Sequence, residues 1–486
     1  MSSRGDGRDG GERRPGAYSP GRRTALVLCG TGAHGAYHAG ALRAIQEAGV
    51  KIDLVAGHGV GAGAAALAAI DGGPRLWEPD GLWRSAAAER FYPWNAFLRG
   101  AGWLALLLLL LLLAPVLVLA AGLLIYPAGF LLTLVGLDAG PAIVGGYSDW
   151  VARAFAPERM PTIVPRLAMV VLAAIGLLGL VAAAVARWRS HAGRRSVGAW
   201  WWQVAGAPLD AAGVRLAFID AIWHVIRGAA VLERPTPALV GRRYAEVLGE
   251  NIGQPGFREL ILAATDLDAR RDVIVALLKD PYARSFLAPV EGRDRRAEVL
   301  DLTGAGRDHA IDVLAGALTP PVACDPALVT FAIESFWRGE THRVCDRPAA
   351  VIRLLDEVVA AGVTQVIVVS ASASPGGPHR LSAPRLGPRN RLGEFLAAAE
   401  CAALHDALEA ARGRFEATYL VAPVHNPLGP FDFRGRYDEA SDRRQTLLEL
   451  MDAGYNDAYR QFIEPVVGAS GEQLVHPGTG DRRLGY

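Results

Sequence analysis

Residues 100–137 contain no charged side chain, and within them residues 104–119 are almost purely aliphatic. As one helix such a run would extend about 57 Å, whereas the hydrocarbon core of a bilayer is roughly 30 Å thick. A second run, residues 167–186, is built from Leu, Ala, Val, Ile, Gly and Met between Arg166 and Arg187, the length of a single span. Helices apolar on every face at this length are rare in soluble cores, so both runs are expected to cross a membrane. Seven arginines flank the outer ends of the pair (Arg84, Arg90, Arg99, Arg187, Arg189, Arg194, Arg195) and three lie between the runs (Arg153, Arg159, Arg166). By the positive-inside rule both flanks face the cytoplasm and residues 139–165 face the other side. Trp94, Trp103, Trp188, Trp200, Trp201 and Trp202 stand where interfacial aromatics would anchor such spans. Two crossings return the chain to its starting side. The surplus of the first run is expected to break near Tyr126 and Pro127 into an interfacial or re-entrant piece.

Outside these runs the charge balance excludes one class of partner. Lysine plus arginine, 50, nearly cancels aspartate plus glutamate, 49, so no global field draws in nucleic acid. Only Lys51 and Lys279 are lysines; this arginine bias, with the Ala and Gly excess, points to a GC-rich bacterial genome and, with the spans, to an inner membrane. Cys29, Cys324, Cys345 and Cys401 lie far apart, without a CxxC pair or histidines at ligand spacing. Reduced, mostly buried thiols, no metal and no cofactor are expected. Residues 1–23 hold almost no apolar side chain and read as a disordered cytoplasmic tail.

Two glycine turns carry the functional signal. A buried strand, residues 24–29 (TALVLC), runs into Gly30-Thr31-Gly32-Ala33-His34-Gly35 and then into a helical pattern over residues 36–48. A glycine loop at a helix start presents free N–H groups to negative charge. On its own this also describes a dinucleotide site, with Asp53 as the ribose acid. The continuation argues otherwise: residues 52–56 form a second strand leading into Gly57-His58-Gly59-Val60-Gly61 and a small-residue helix over 63–70. That is the strand, tight turn and helix of a GxSxG nucleophile elbow with glycine at the serine position. Asp53 stands at the start of the strand, where a ribose-binding acid would stand at its end.

The paired glycine loop and elbow resemble the patatin-like phospholipase family. Residues 257–267 (FRELILAATDL) resemble the family's central strand, and residues 309–325 its helix and Pro-rich turn ahead of the catalytic aspartate. Residues 365–370 (QVIVVS) resemble the strand that follows that motif. The resemblance implies an α/β fold: a mainly parallel sheet with helices on both faces, here interrupted by a transmembrane helical hairpin. It also implies a serine–aspartate dyad, in which the serine attacks an ester carbonyl and the glycine loop holds the oxyanion. Carried over by position, the nucleophile falls on Gly59 and the base on Arg338, within Trp337-Arg338-Gly339-Glu340. Glycine has no side chain and a guanidinium cannot accept a proton. Gly30, Gly32 and Gly35 keep the oxyanion loop, Thr31 replaces its middle glycine, and Gly57, His58 and Gly61 frame the elbow.

The organisation expected is a tail (1–23), a first part of the patatin-like domain (24–98), the hairpin (99–190) and a second part (191–486). The expected function is a membrane-anchored, non-hydrolytic member that binds lipid or acts as a scaffold for a protein partner the sequence leaves unnamed. Two alternatives stay open. One is a lipid acyl hydrolase with a relocated nucleophile or base, for which Cys29, Glu340 and His342 are the candidates; the other is a nucleotide-binding membrane regulator. Asp71-Gly72-Gly73 resembles the aspartate motif but reads as a helix stop. The arginines of residues 372–392 (Arg380, Arg385, Arg389, Arg391) belong to a solvated loop or to a head-group contact. Residues 442–463 are expected to close the domain as a helix pair.

Overall fold

The computed structural model describes residues 18–191, 206–288, 295–333, 335–373 and 387–468. It divides into two compact units, one formed by Met1–Pro93 with Leu209–Tyr486 and the other by Trp94–Pro208. The second is wider at both ends than the hairpin drawn from hydropathy.

The first unit is built on nine strands. β1 (Thr24–Cys29), β2 (Leu54–His58), β3 (Glu259–Asp266), β4 (Arg271–Leu277), β5 (Ala297–Asp301), β8 (Gln365–Ser370) and β9 (Ala417–Val421) lie in the order β5-β4-β3-β2-β1-β8-β9. β6 (Ala327–Thr330) and β7 (Thr341–Cys345) form a hairpin whose second strand pairs with β3. Pairing is parallel from β3 through β2, β1 and β8 to β9 and again between β4 and β5, while β3 meets β4 and β7 antiparallel. The central strands are buried along their whole length, as strands covered on both faces must be. Helices α1 (Gly35–Glu47) and α2 (Val60–Ala69) follow β1 and β2. Later come α6 (Ala212–Arg227), α7 (Pro237–Asn251), α8 (Ala310–Ala317), α9 (Ala350–Ala360), α10 (Pro388–Ala410) and α11 (Leu447–Ala458).

Alternation decides which helix covers which face. Ala25, Val27 and Cys29 join Val366 and Val368 in one core with Val351, Leu354 and Val358 of α9 and Leu404 of α10. Leu26 turns the other way, toward Leu42 and Ile45 of α1. α1 meets α11 at two glycines, where an added Cβ would stand 1.8 Å from the Met451 carbonyl oxygen (at Gly40) and 2.2 Å from that of Tyr37 (at Gly454). α11 starts from a capping box of Thr446 and Glu449 and ends in a π-helical turn, Tyr459–Val467. The closing element is therefore one helix with a π-turn, where a pair was expected. The tail also ends earlier than composition indicated: Tyr18 is buried against Phe462, and Arg23 pairs with buried Glu259 and stacks on Tyr282. One aromatic and one ion pair anchor a segment whose average composition is that of a solvated chain.

In the second unit α3 (Ala96–Leu134) and α5 (Met160–His191) are both long and apolar enough to cross a membrane. Their side chains are largely exposed, Leu123 and Leu124 by more than three quarters, which is the reverse of a soluble core helix. α3 runs through Tyr126 and Pro127 without the expected break. Helix α4 (Ala139–Ala154) lies back along this upper stretch through small residues. Val144 packs on Gly129, Thr133 on Gly140, and Tyr147 Oη donates to the Val118 carbonyl at 2.7 Å across Gly122. This close packing supports the helix past the proline. Arg194, Arg195, Trp200, Trp201, Trp202, Arg380 and Arg385 lie outside the described residues.

Candidate functional site

The two glycine turns meet at the carboxyl ends of β1 and β2, the position where open α/β sheets bind ligands. Gly59 caps β2 and starts α2 with φ +58°, ψ −139°, a conformation open to glycine and costly for any other residue. Its neighbours are small for a different reason. A Cβ at Gly57 would stand 2.4 Å from the Gly61 carbonyl oxygen, and one at Gly61 would stand 2.1 Å from that of Leu28. The elbow geometry therefore survives without its serine.

The space a nucleophile would use is filled. A Cβ built on Gly59 lies 2.3 Å from the Gly30 carbonyl oxygen and 2.9 Å from Asp346 Oδ2. The same Gly30 oxygen accepts the Val60 N–H at 2.8 Å; in an α/β-hydrolase elbow the N–H after the nucleophile faces the oxyanion. Within the glycine loop, Ala33 N–H donates to the Pro430 carbonyl at 2.8 Å. That carbonyl would meet a Cβ on Gly32 at 2.0 Å. Pro430 belongs to a segment packed by Phe431 and Phe433 against Tyr92. Gly30, Thr31, Gly32, Gly35, Gly57, His58, Gly59 and Gly61 are all buried. The cavity left among Cys29, Gly30, His58, Ser370, Glu400 and Leu404 has a volume of about 10 Å³, room for no more than one water.

The carboxylate facing Gly59 is Asp346. It follows β7 directly, its N–H held by the Thr319 carbonyl at 2.9 Å, and its side chain is buried. Asp346 Oδ1 lies 3.2 Å from His58 Nδ1, and Oδ2 accepts from Thr31 Oγ1 at 3.3 Å. Arg338, placed at the base position from sequence, sits in an exposed turn before β7, with that five-residue strand between it and Asp346. The structure does not bring Arg338 to the elbow. The carboxylate that does face Gly59 comes after the strand, just before Pro348 and an amphipathic helix. Glu340 and His342 are not at the elbow either: His342 is buried against Asp266 and contacts Glu340 at 3.4 Å. Asp53 accepts the Thr24 N–H at 2.9 Å and serves the fold.

Further buried groups complete the cluster, and sequence gave no sign of two of them. Glu400, from α10, lies 3.3 Å from His34 Nδ1 with both side chains buried. His38 Nε2 lies 2.9 Å from the Cys29 carbonyl oxygen. Because a carbonyl only accepts, Nε2 carries the proton. Burial, foremost, pushes its pKa down to about 3. Burial works to lower the His58 pKa as well, but the Asp346 carboxylate and the Cys29 thiol overcome it and hold His58 well above the usual histidine range. Glu400 is pushed up by burial and brought lower on balance by its contacts with His34 and Thr31. The described residues include no cluster of His, Cys, Asp and Glu able to hold a metal ion.

These shifts fix the sign of a pH dependence. Neutral His38 resists the protonation that the unfolded chain undergoes below about pH 6.5, so stability falls from there toward pH 3. Glu400 adds to this loss below its unfolded value. Charged His58 contributes stability that is complete below pH 6.5 and is lost as pH rises through its raised folded pKa. Denaturation of the full chain across pH should therefore show a maximum near pH 6.5. His38→Gln should flatten the acid limb and His58→Gln the alkaline limb; limbs that do not respond would refute the assignment.

The family model for the Patatin-like phospholipase domain matches residues 26–277, more than half of the chain. The chain belongs to the patatin-like phospholipase family. Its patatin-like match spans both glycine turns and reads through the inserted helices to β4. VipD from Legionella pneumophila, in its crystal structure, is similar at 11% identity and a TM-score of 0.30, over 90% of this chain and 66% of VipD's own. No curated protein matches.

Proposed function

We propose that this patatin-like protein is a membrane-anchored, non-hydrolytic member of its family, a lipid-binding or scaffolding protein held at the cytoplasmic face. One observation carries the reading: at the elbow the Gly30 carbonyl oxygen stands only 2.3 Å from where a nucleophile's Cβ would be. The capped glycine loop and the 10 Å³ cavity support it, since an acyl group has no place beside the elbow. Anchoring is supported by the exposed apolar faces of α3 and α5. Two crossings put both parts of the α/β domain on one side, and the arginine asymmetry makes that side the cytoplasm.

A second reading, an acyl hydrolase with a relocated nucleophile, has one contact in its favour: the Thr31 hydroxyl donates to Asp346 at 3.3 Å, an oxygen beside a carboxylate base. Burial of Thr31 to 2% argues against it. The test is hydrolysis of phospholipid vesicles and short p-nitrophenyl esters by the full chain. Turnover at background is expected for wild type, Thr31→Ala and Cys29→Ala alike. Wild-type turnover that either substitution abolishes would overturn the non-hydrolytic reading.

A further inference from the structure

The first two turns of α3 carry a feature that neither the elbow nor the helix packing uses. Trp94, Leu98, Arg99, Gly102, Trp103 and Leu106 line a shallow, open groove of about 450 Å³ along one face of the helix start. Its walls are indole and leucine, and its floor is Gly102, where an added Cβ would meet nothing within 4 Å. Its single charge is Arg99, the last charged residue before the uncharged run. Arg99 forms no ion pair among the described residues, although the Asn95 side chain caps the same helix start by accepting from Phe97 N–H. Trp103 is 73% exposed, a large indole facing out one turn beyond the cation.

We propose that this groove is a binding site for one anionic glycerophospholipid, with an acyl chain laid over Gly102 between Leu98 and Leu106 and the phosphate on the Arg99 guanidinium. The proposal rests on the membrane-anchored reading above. Charge complementarity selects the occupant. A guanidinium is not neutralised at any physiological pH, and at the edge of an apolar run it needs an anion at the same depth, which a phosphodiester with a chain reaching into the bilayer supplies. The two tryptophans lie at the level where indoles sit between head groups and hydrocarbon, and they restrict the site to a ligand with one charged end and one apolar end. An acid without a chain would leave the apolar walls wet, and a neutral lipid would leave Arg99 without its partner.

The test reconstitutes the full chain in vesicles of phosphatidylcholine with a minor fraction of phosphatidylglycerol, re-extracts it in mild detergent and counts copurifying lipid by mass spectrometry. Wild type should retain phosphatidylglycerol enriched over the vesicle ratio by about fivefold, the effect of one cation at an anionic surface. Arg99→Gln should return the ratio to that of the vesicle, and Gly102→Leu, which fills the floor without a clash, should lower total retained lipid. Gly176→Leu, at an equally open position on α5, should behave as wild type. Wild-type lipid at the bulk ratio, or enrichment that survives Arg99→Gln or Gly102→Leu, overturns the site. So does an equal loss in Gly176→Leu. Flotation of the wild type with the vesicles separates the two ideas, since a chain that does not float refutes the anchored reading, while one that floats without enrichment refutes the groove.

Discussion

Replacing Gly59 with serine is expected to destabilise the protein by roughly 2–6 kcal/mol and to create no esterase. Two costs combine. A side chain at φ +58° is strained by about 1–3 kcal/mol. The Cβ must also displace the Gly30 carbonyl oxygen, 2.3 Å away, from its bond with Val60 N–H, an overpacking cost of about 1–3 kcal/mol. Restoring the family's nucleophile by one substitution therefore forces the glycine loop out of its present path. Gly59→Ala should cost about as much, because the strain and the clash belong to Cβ and not to the hydroxyl. Denaturant unfolding of both variants measures this, with ester hydrolysis of Gly59→Ser assayed alongside. A Gly59→Ser protein with wild-type stability and new turnover would mean that the loop opens readily and that the site is a resting enzyme.

Asp346→Asn should be about as damaging, by a different route. His58 and Asp346 are each 1% exposed, and His58 is held charged by that carboxylate in spite of its burial. Removing the charge takes away what opposes burial at His58, so the imidazole must give up its proton and the ion pair is lost, and it weakens the acceptor of the Thr31 hydroxyl. Breaking one half of a buried pair typically costs 3–5 kcal/mol. Unfolding of Asp346→Asn, His58→Gln and the double variant forms the decisive cycle, in which the double variant should be markedly more stable than the sum of the singles implies. Additive losses would show that the two side chains do not act as a pair.

What could be read in advance follows from where each interaction lies in the chain. The strand at 24–29, the glycine turns and the strand at 365–370 are local, since a short apolar run closed by glycines has few other ways to fold. Sequence pointed to Arg338 and not to Asp346 as the elbow's neighbour for a physical reason. Arg338-Gly339 occupies a turn with both residues at positive φ, and in sequence that turn looks like a catalytic aspartate-glycine pair, whereas Asp346 is marked only by its place after β7. Glu400 could not be found locally. On α10 it has the surroundings of any helical glutamate, and its burial comes from His34, far away in the chain. The unbroken α3 was missed because the proline rule speaks for an isolated helix, and here α4 lies against it.

The chain leaves the α/β domain and returns to it at neighbouring points. Asp210 N–H donates to the Pro93 carbonyl at 3.0 Å, so the strand of chain leaving the domain and the one returning to it touch. On the other side of the boundary Asn95 N–H donates to the Pro208 carbonyl at 2.8 Å, which closes the inserted unit on itself. Each unit thus supplies its own loop closure, and from the domain's standpoint everything from Trp94 to Pro208 is equivalent to a tight turn. A cassette joined in this way can be lengthened, shortened or exchanged without altering the register of the surrounding sheet.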